Sequence, residues 1–156
     1  MRAHVTTHTD EPVKKMRLPT AIAAALMLAA CGLAPPADSP TLYSRLGGEP
    51  VVKRVVAETI DRAAADPRTR RSFQDVKLAR VKEKIAEQVC NLTGGGCAYT
   101  GDPMDQVHKG LKNTEAELSL LVQFLRDALD GAGVQEGEKN ELLRLLAPMK
   151  RDIVTD

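Results

Sequence analysis

From Pro50 to the C-terminus, apolar residues recur at intervals of three and four, and no segment alternates convincingly with period two. A chain patterned this way buries helix stripes instead of sheet faces, so the expected fold class is all-α. The first long stripe carries Val51, Val52, Val55, Val56, Ile60 and Ala63; Pro50 suits its opening turn, and Asp66 with Pro67 stops it. A second runs from Lys77 to Leu92, with Leu78, Val81, Ile85, Val89 and Leu92 on one side and Arg80, Lys82, Glu83, Lys84 and Glu87 largely elsewhere. A third, opened by a capping box of Thr114 and Glu117, carries Leu118, Leu121, Val122, Leu125 and Leu129 as far as Gly131. The last is expected over about Glu138 to Val154, with Pro148 kinking it. A short helical start, Thr41 to Leu46, precedes them and ends at Gly47 and Gly48.

At 156 residues the chain is about one domain long, and its formal charge of +1 gives no polybasic case for nucleic acid. Trp is absent and the aromatics are Tyr43, Phe73, Tyr99 and Phe124, so the core must come mainly from Leu, Val, Ile, Ala and Met. That limits core volume, and a large flat cofactor is consistent with it. Phe73, isolated in the polar link RTRRSFQDV, reads from the residues alone as a plug for a gap in the core.

Residues 14 to 31 read KKMRLPTAIAAALMLAAC, a basic cluster, an apolar run too short to cross a bilayer comfortably, then Cys31. Leu28, Ala29, Ala30 and Cys31 resemble the bacterial lipobox, which makes residues 1–30 a signal peptide and Cys31 the acylated first residue of the mature protein. An ordinary signal peptide with a chance cysteine is the alternative. Met16 could be the true start. Residues 31–40 follow as a proline-rich tether, and the folded domain is expected at residues 41–156. Either leader predicts export, and the lipobox predicts a bacterial lipoprotein of the periplasm or cell surface, held to the membrane by its lipid.

His4 and His8 lie ahead of the cleavage point, so His108 is the one imidazole of the mature chain. Within DPMDQVHKG, Asp102 can cap a helix, Pro103 suits its first turn and Gly110 its end, which puts His108 near the end of a short helix with Met104 and Val107 on its general face. A metal needing several protein nitrogens cannot be served here; a cofactor that brings its own four nitrogens and needs one axial histidine can. Read alone, such a histidine is more often a packed or surface residue than a ligand. The run Thr93, Gly94, Gly95, Gly96 reads as a supple hinge, and no GK[ST] ends it, so nucleotide binding is rejected. Cys90 and Cys97 bracket the glycines: in an oxidising compartment they can pair, whereas two cysteines make a poor zinc site.

Taken in order, LYSRLGGEP, an apolar helix, ADPR with Phe73 downstream, TGGGCAYTG, PMDQVHKGL, TEAEL and LLAPMKRDIV resemble the group I truncated haemoglobins from Leu42 to Val154. The resemblance implies a two-over-two helical sandwich around haem (iron protoporphyrin IX), with His108 as the proximal iron ligand. Phe73 would then stack on the porphyrin and Met104 pack on its proximal face. Val81 and Ile85 would line the distal face, with Val89 deeper. Lys84 and Lys82 would be cations for the haem propionates, against the bland alternative of a solvated helix face, and a neutral Lys84 is a conceivable sixth ligand.

Where many members of that family carry a distal tyrosine and glutamine, this chain has Ile60 and Ile85. Loss of a hydrogen-bond donor to bound oxygen costs on the order of 1 kcal/mol or more, so faster oxygen escape is expected, and a relative preference for nitric oxide or carbon monoxide. The function expected is reversible binding of a diatomic gas, with no electron donor identified. The alternatives are a nitric oxide dioxygenase or peroxidase-like haem enzyme, and a cofactor-free helical lipoprotein acting as an interaction module.

Overall fold

The computed structural model describes residues 39–155. The leader, Met16, the lipobox with Cys31, and all but the last two residues of the tether lie outside the described residues. The helices are α1 (Leu42–Arg45), α2 (Gly48–Ala65), α3 (Leu78–Leu92), α4 (Met104–Val107), α5 (Glu115–Gly131), α6 (Glu136–Leu146) and α7 (Lys150–Ile153). Single 3-10 turns at Arg70–Phe73 and Ala147–Met149 join α2 towards α3 and α6 to α7. The described residues contain no strand, only an isolated bridge between Asn113 and Val154.

The long α2 is the central element. Its stripe of Val52, Val55, Val56, Thr59, Ile60 and Ala63 is buried, and α3 and α5 are its principal partners. From the other side the core receives Ala86 and Val89 of α3, Ala128 and Leu129 of α5, Leu142 of α6, and Leu42 and Leu46 at the start. Burying each large aliphatic side chain contributes roughly 1.5–3 kcal/mol. The only buried polar residue of α2, Thr59, bonds its hydroxyl to the Val55 carbonyl at 2.8 Å and is satisfied within its own helix.

Turn chemistry explains where the elements stop, and corrects several sequence expectations. Gly47, at φ +99°, is the N-cap of α2, and a Cβ there would lie 2.5 Å from a Val51 methyl; α2 thus opens at Gly48, two residues ahead of Pro50. Phe73 ends a 3-10 turn instead of lying in an irregular link. The Thr114–Glu117 capping box is present, with the Glu117 amide donating to Thr114 Oγ1 and the Thr114 amide to Glu117 Oε2. The last helix starts at Glu136, not Glu138, and Pro148 does more than kink it. Lacking an N–H, it turns Ala147–Met149 into a 3-10 segment before the chain resumes as α7.

The glycine run is not the loose hinge expected. Cys90 and Cys97 form a disulfide, Cα to Cα 5.7 Å, across it. The Gly95 amide donates to the Cys90 carbonyl at 2.8 Å, and the Tyr43 amide to the Thr93 carbonyl at 2.8 Å. A Cβ at Gly95 would lie 2.5 Å from Cys90 Sγ and 2.7 Å from the Tyr43 ring. Glycine is needed there for close packing, and the packing removes the freedom the sequence suggested.

Candidate functional site

On α3, Leu78, Val81, Ile85, Gln88 and Leu92 share one side by helical spacing, and all are only partly buried. The α3 residues that pack fully on α2 are Ala86 and Val89, on the adjoining face. The short α4, which carries Met104 and leads to His108, packs mainly against α7. The two helices α3 and α4 are not among each other's principal partners. Met104 and His108 are half-buried, while Val107 at 43%, Leu111 at 37% and Val76 at 43% are the exposed large apolar residues nearby in sequence. The partly buried stripe of α3 and the apolar residues of α4, with its one imidazole, delimit the candidate crevice.

Asp102 is not the cap of α4. Pro103 occupies that place with no side-chain bond, and the Asp102 carbonyl instead accepts from the Tyr99 hydroxyl at 2.8 Å. The helix is a single turn, and His108 is its C-cap residue. That position gives the imidazole its chemistry. His108 Nδ1 lies 2.8 Å from the Met104 carbonyl oxygen. A carbonyl only accepts, so the proton sits on Nδ1 and the lone pair on Nε2 is left for a metal. Among the described residues no three His, Cys, Asp or Glu side chains gather to hold an ion, so a metal here has to arrive with most of its ligands.

The other residues singled out from the sequence fall as follows. Ile60 is 2% exposed, and Phe73, Val81 and Ile85 are half-buried against the same core. No polar side chain occurs at positions 60, 81, 85 or 89, so that surface is wholly aliphatic. Gln88, which sequence reading passed over, is the amide on this side of α3; its Nε2 donates to Met149 Sδ at 3.6 Å, a weak acceptor. Lys84 Nζ donates to Glu87 Oε1 and Thr100 Oγ1, both at 2.7 Å. The bond to Glu87 holds its ammonium above the ordinary range despite partial burial, which speaks against a neutral amine on a metal. Lys82 pairs with Asp61 of α2 at 2.5 Å. Cys90 and Cys97 line a groove of about 580 Å³ with Tyr43, Lys53 and Ala86.

The family model for bacterial-like globins matches residues 41–155. The chain belongs to that family. A group 1 truncated hemoglobin of Mycolicibacterium paratuberculosis is 34% identical over 76% of this chain and 88% of the relative. Among solved structures, the ferric truncated hemoglobin of Tetrahymena pyriformis superposes with a TM-score of 0.71 at 24% identity, covering 75% of this globin and all of that chain. The 2/2 hemoglobin of Synechococcus, in the cyanomet state with covalently attached heme, gives 0.68 at 21% identity, covering 74% and 98%. The fold is the two-over-two globin fold, as the sequence resemblance implied. The residues present fit a flat apolar cofactor: α3 offers a partly buried aliphatic stripe and His108 one preset imidazole nitrogen.

Proposed function

We propose that this globin binds haem in the crevice between α3 and α4 and through it reversibly binds a diatomic gas: oxygen, nitric oxide or carbon monoxide. The observation that carries the reading is the 2.8 Å bond from His108 Nδ1 to the Met104 carbonyl, which fixes the tautomer a proximal ligand needs. Haem supplies an iron with an open coordination position for the gas. The protein's part is to hold that iron through His108 and to cover the ring with aliphatic surface. Met104 fits the proximal side, Phe73, Val81 and Ile85 the opposite one, and Ile60 its floor. Lys84 suits a propionate, which would compete with Glu87 for the same ammonium. With no donor at positions 60 and 85, a polarised ligand gains little over an apolar one.

Hemin titration of the purified chain tests this. A Soret band saturating at one equivalent, and lost in His108→Ala, is expected; no stoichiometric uptake would instead favour the cofactor-free interaction module. For dioxygenase or peroxidase chemistry no acid or base side chain stands on the aliphatic wall, so slow reaction of the oxygenated protein with nitric oxide is expected.

We further propose that the chain is exported and anchored by lipid at Cys31. The disulfide of Cys90 and Cys97 is consistent with an oxidising compartment. In a bacterial host, radiolabelled palmitate should enter the wild-type protein and not Cys31→Ser; equal labelling would contradict the anchor.

A further inference from the structure

Arg71 links two parts of the crevice that are far apart in sequence. It sits in the 3-10 turn that ends at Phe73. Its guanidinium donates from Nη1 to the Leu111 carbonyl at 2.9 Å, and from Nη2 to the Lys112 carbonyl at 2.6 Å and to Glu117 Oε2 at 2.5 Å. Leu111 and Lys112 belong to the loop that leaves His108, where the Leu111 amide donates back to the His108 carbonyl at 3.1 Å. Beside Arg71, Ser72 donates its hydroxyl to Asn113 Oδ1 at 2.8 Å. Two consecutive residues that precede Phe73 thus grip three consecutive residues that follow His108.

The gripped loop is not at rest. Lys112 has φ +50°, a left-handed conformation uncommon for a residue with a side chain, and Gly110 has φ +80°. Arg71 takes the carbonyl of that strained residue and the one before it with the two arms of a planar fork, an arrangement an ammonium cannot reproduce. Glu117 holds the fork in turn. Its carboxylate accepts from Arg71 while also closing the capping box of α5 through Thr114, and the bond from Arg71 lowers its pKa from the ordinary value.

From this geometry we propose that Arg71 is a positioning residue for the haem site: it sets where His108 stands relative to Phe73 by clamping the 108–113 loop to the 3-10 turn. The inference rests on the haem reading above and adds to it a residue outside the crevice. The stiffness of the clamp governs the strength and uniformity of the iron–histidine bond, and the rate at which haem leaves.

Two readouts on hemin-loaded protein test it: the iron–histidine stretching band of the reduced, ligand-free form by resonance Raman, and hemin transfer to excess apomyoglobin. In Arg71→Gln the band should shift or broaden and transfer should accelerate on the order of tenfold or more, since charge-assisted bonds are lost. Arg71→Lys should fall between, keeping the charge without the fork. Adding Lys112→Gly to Arg71→Gln should recover part of the slow transfer, because glycine takes the left-handed backbone without strain. If Arg71→Gln does not fold, the comparison of Arg71→Lys with wild type decides. A wild-type band and transfer rate in a folded Arg71→Gln, or in Arg71→Lys, would overturn the inference while leaving the haem reading intact. Absence of a wild-type Soret band would remove both.

Discussion

His108 closes a one-turn helix as its C-cap residue. It lies four positions after Met104, so the bond that orients the ring comes from the helix backbone and needs no second side chain. On α3 the side chains at 81 and 85 are aliphatic, and that makes a direct prediction. Ile85→Gln places an amide donor where the chain has none, and should slow oxygen dissociation from the reduced protein by roughly tenfold, equivalent to a hydrogen bond of about 1–2 kcal/mol. Stopped-flow displacement of oxygen by carbon monoxide measures it; an unchanged rate would mean that position 85 does not face the gas. The residue types at 60, 81, 85 and 108 were legible from the sequence because they sit in long periodic stripes or a distinctive motif. Arg71 was not. Its partners lie 40, 41 and 46 positions away, and nothing local in RTRRSFQDV separates it from Arg70.

Among the elements, the long helices could be read from their stripes, and the α5 capping box from four residues. The connection between α3 and α4 could not. Its glycines signal freedom, yet the disulfide, the Tyr43 ring and the bonds from the Thr100 amide to Glu87 Oε2 at 3.2 Å and from Asn91 Nδ2 to the Cys97 carbonyl at 2.9 Å hold it to the end of α3. Such ties depend on three-dimensional approach, which composition does not report. Replacing Cys97 with Ser should destabilise the folded chain by about 2 kcal/mol, the size expected for opening so short a loop; urea unfolding measures it, and no change in midpoint would mean the backbone bonds suffice. Thr114→Ala should cost about 1 kcal/mol in the same assay through loss of the cap.

At the scale of the described domain, the core is centred on α2 and leaves one side of α3 only partly buried, which on the haem reading ties stability to the cofactor. Saturating hemin should raise the unfolding midpoint of the wild-type protein and not of His108→Ala, by the mass-action advantage of binding only the folded state. The surface charges set a pH window. Glu117, Glu87 and Glu136 are held below their ordinary 4.5 chiefly by Arg71, Lys84 and Lys139, and Asp66 is lowered to about 2 by Arg68. Groups lowered on folding stabilise fully above their ordinary values, and that contribution is lost as pH falls through the folded ones. Lys84 and Lys139, raised above 10.5 by Glu87 and by Asp130 with Glu136, contribute below that value and lose it as pH rises further. Stability from these groups should therefore be level between about pH 5 and pH 10 and decline outside.

The central claim is that the Nε2 atom of His108 holds a haem iron. Resonance Raman of the reduced, ligand-free protein grown with ¹⁵N-labelled histidine measures that bond. The account predicts an iron–histidine stretching band that moves on labelling, persists when His4 and His8 are both replaced, and disappears in His108→Ala. A band that survives His108→Ala, or one that ignores the label, would contradict it.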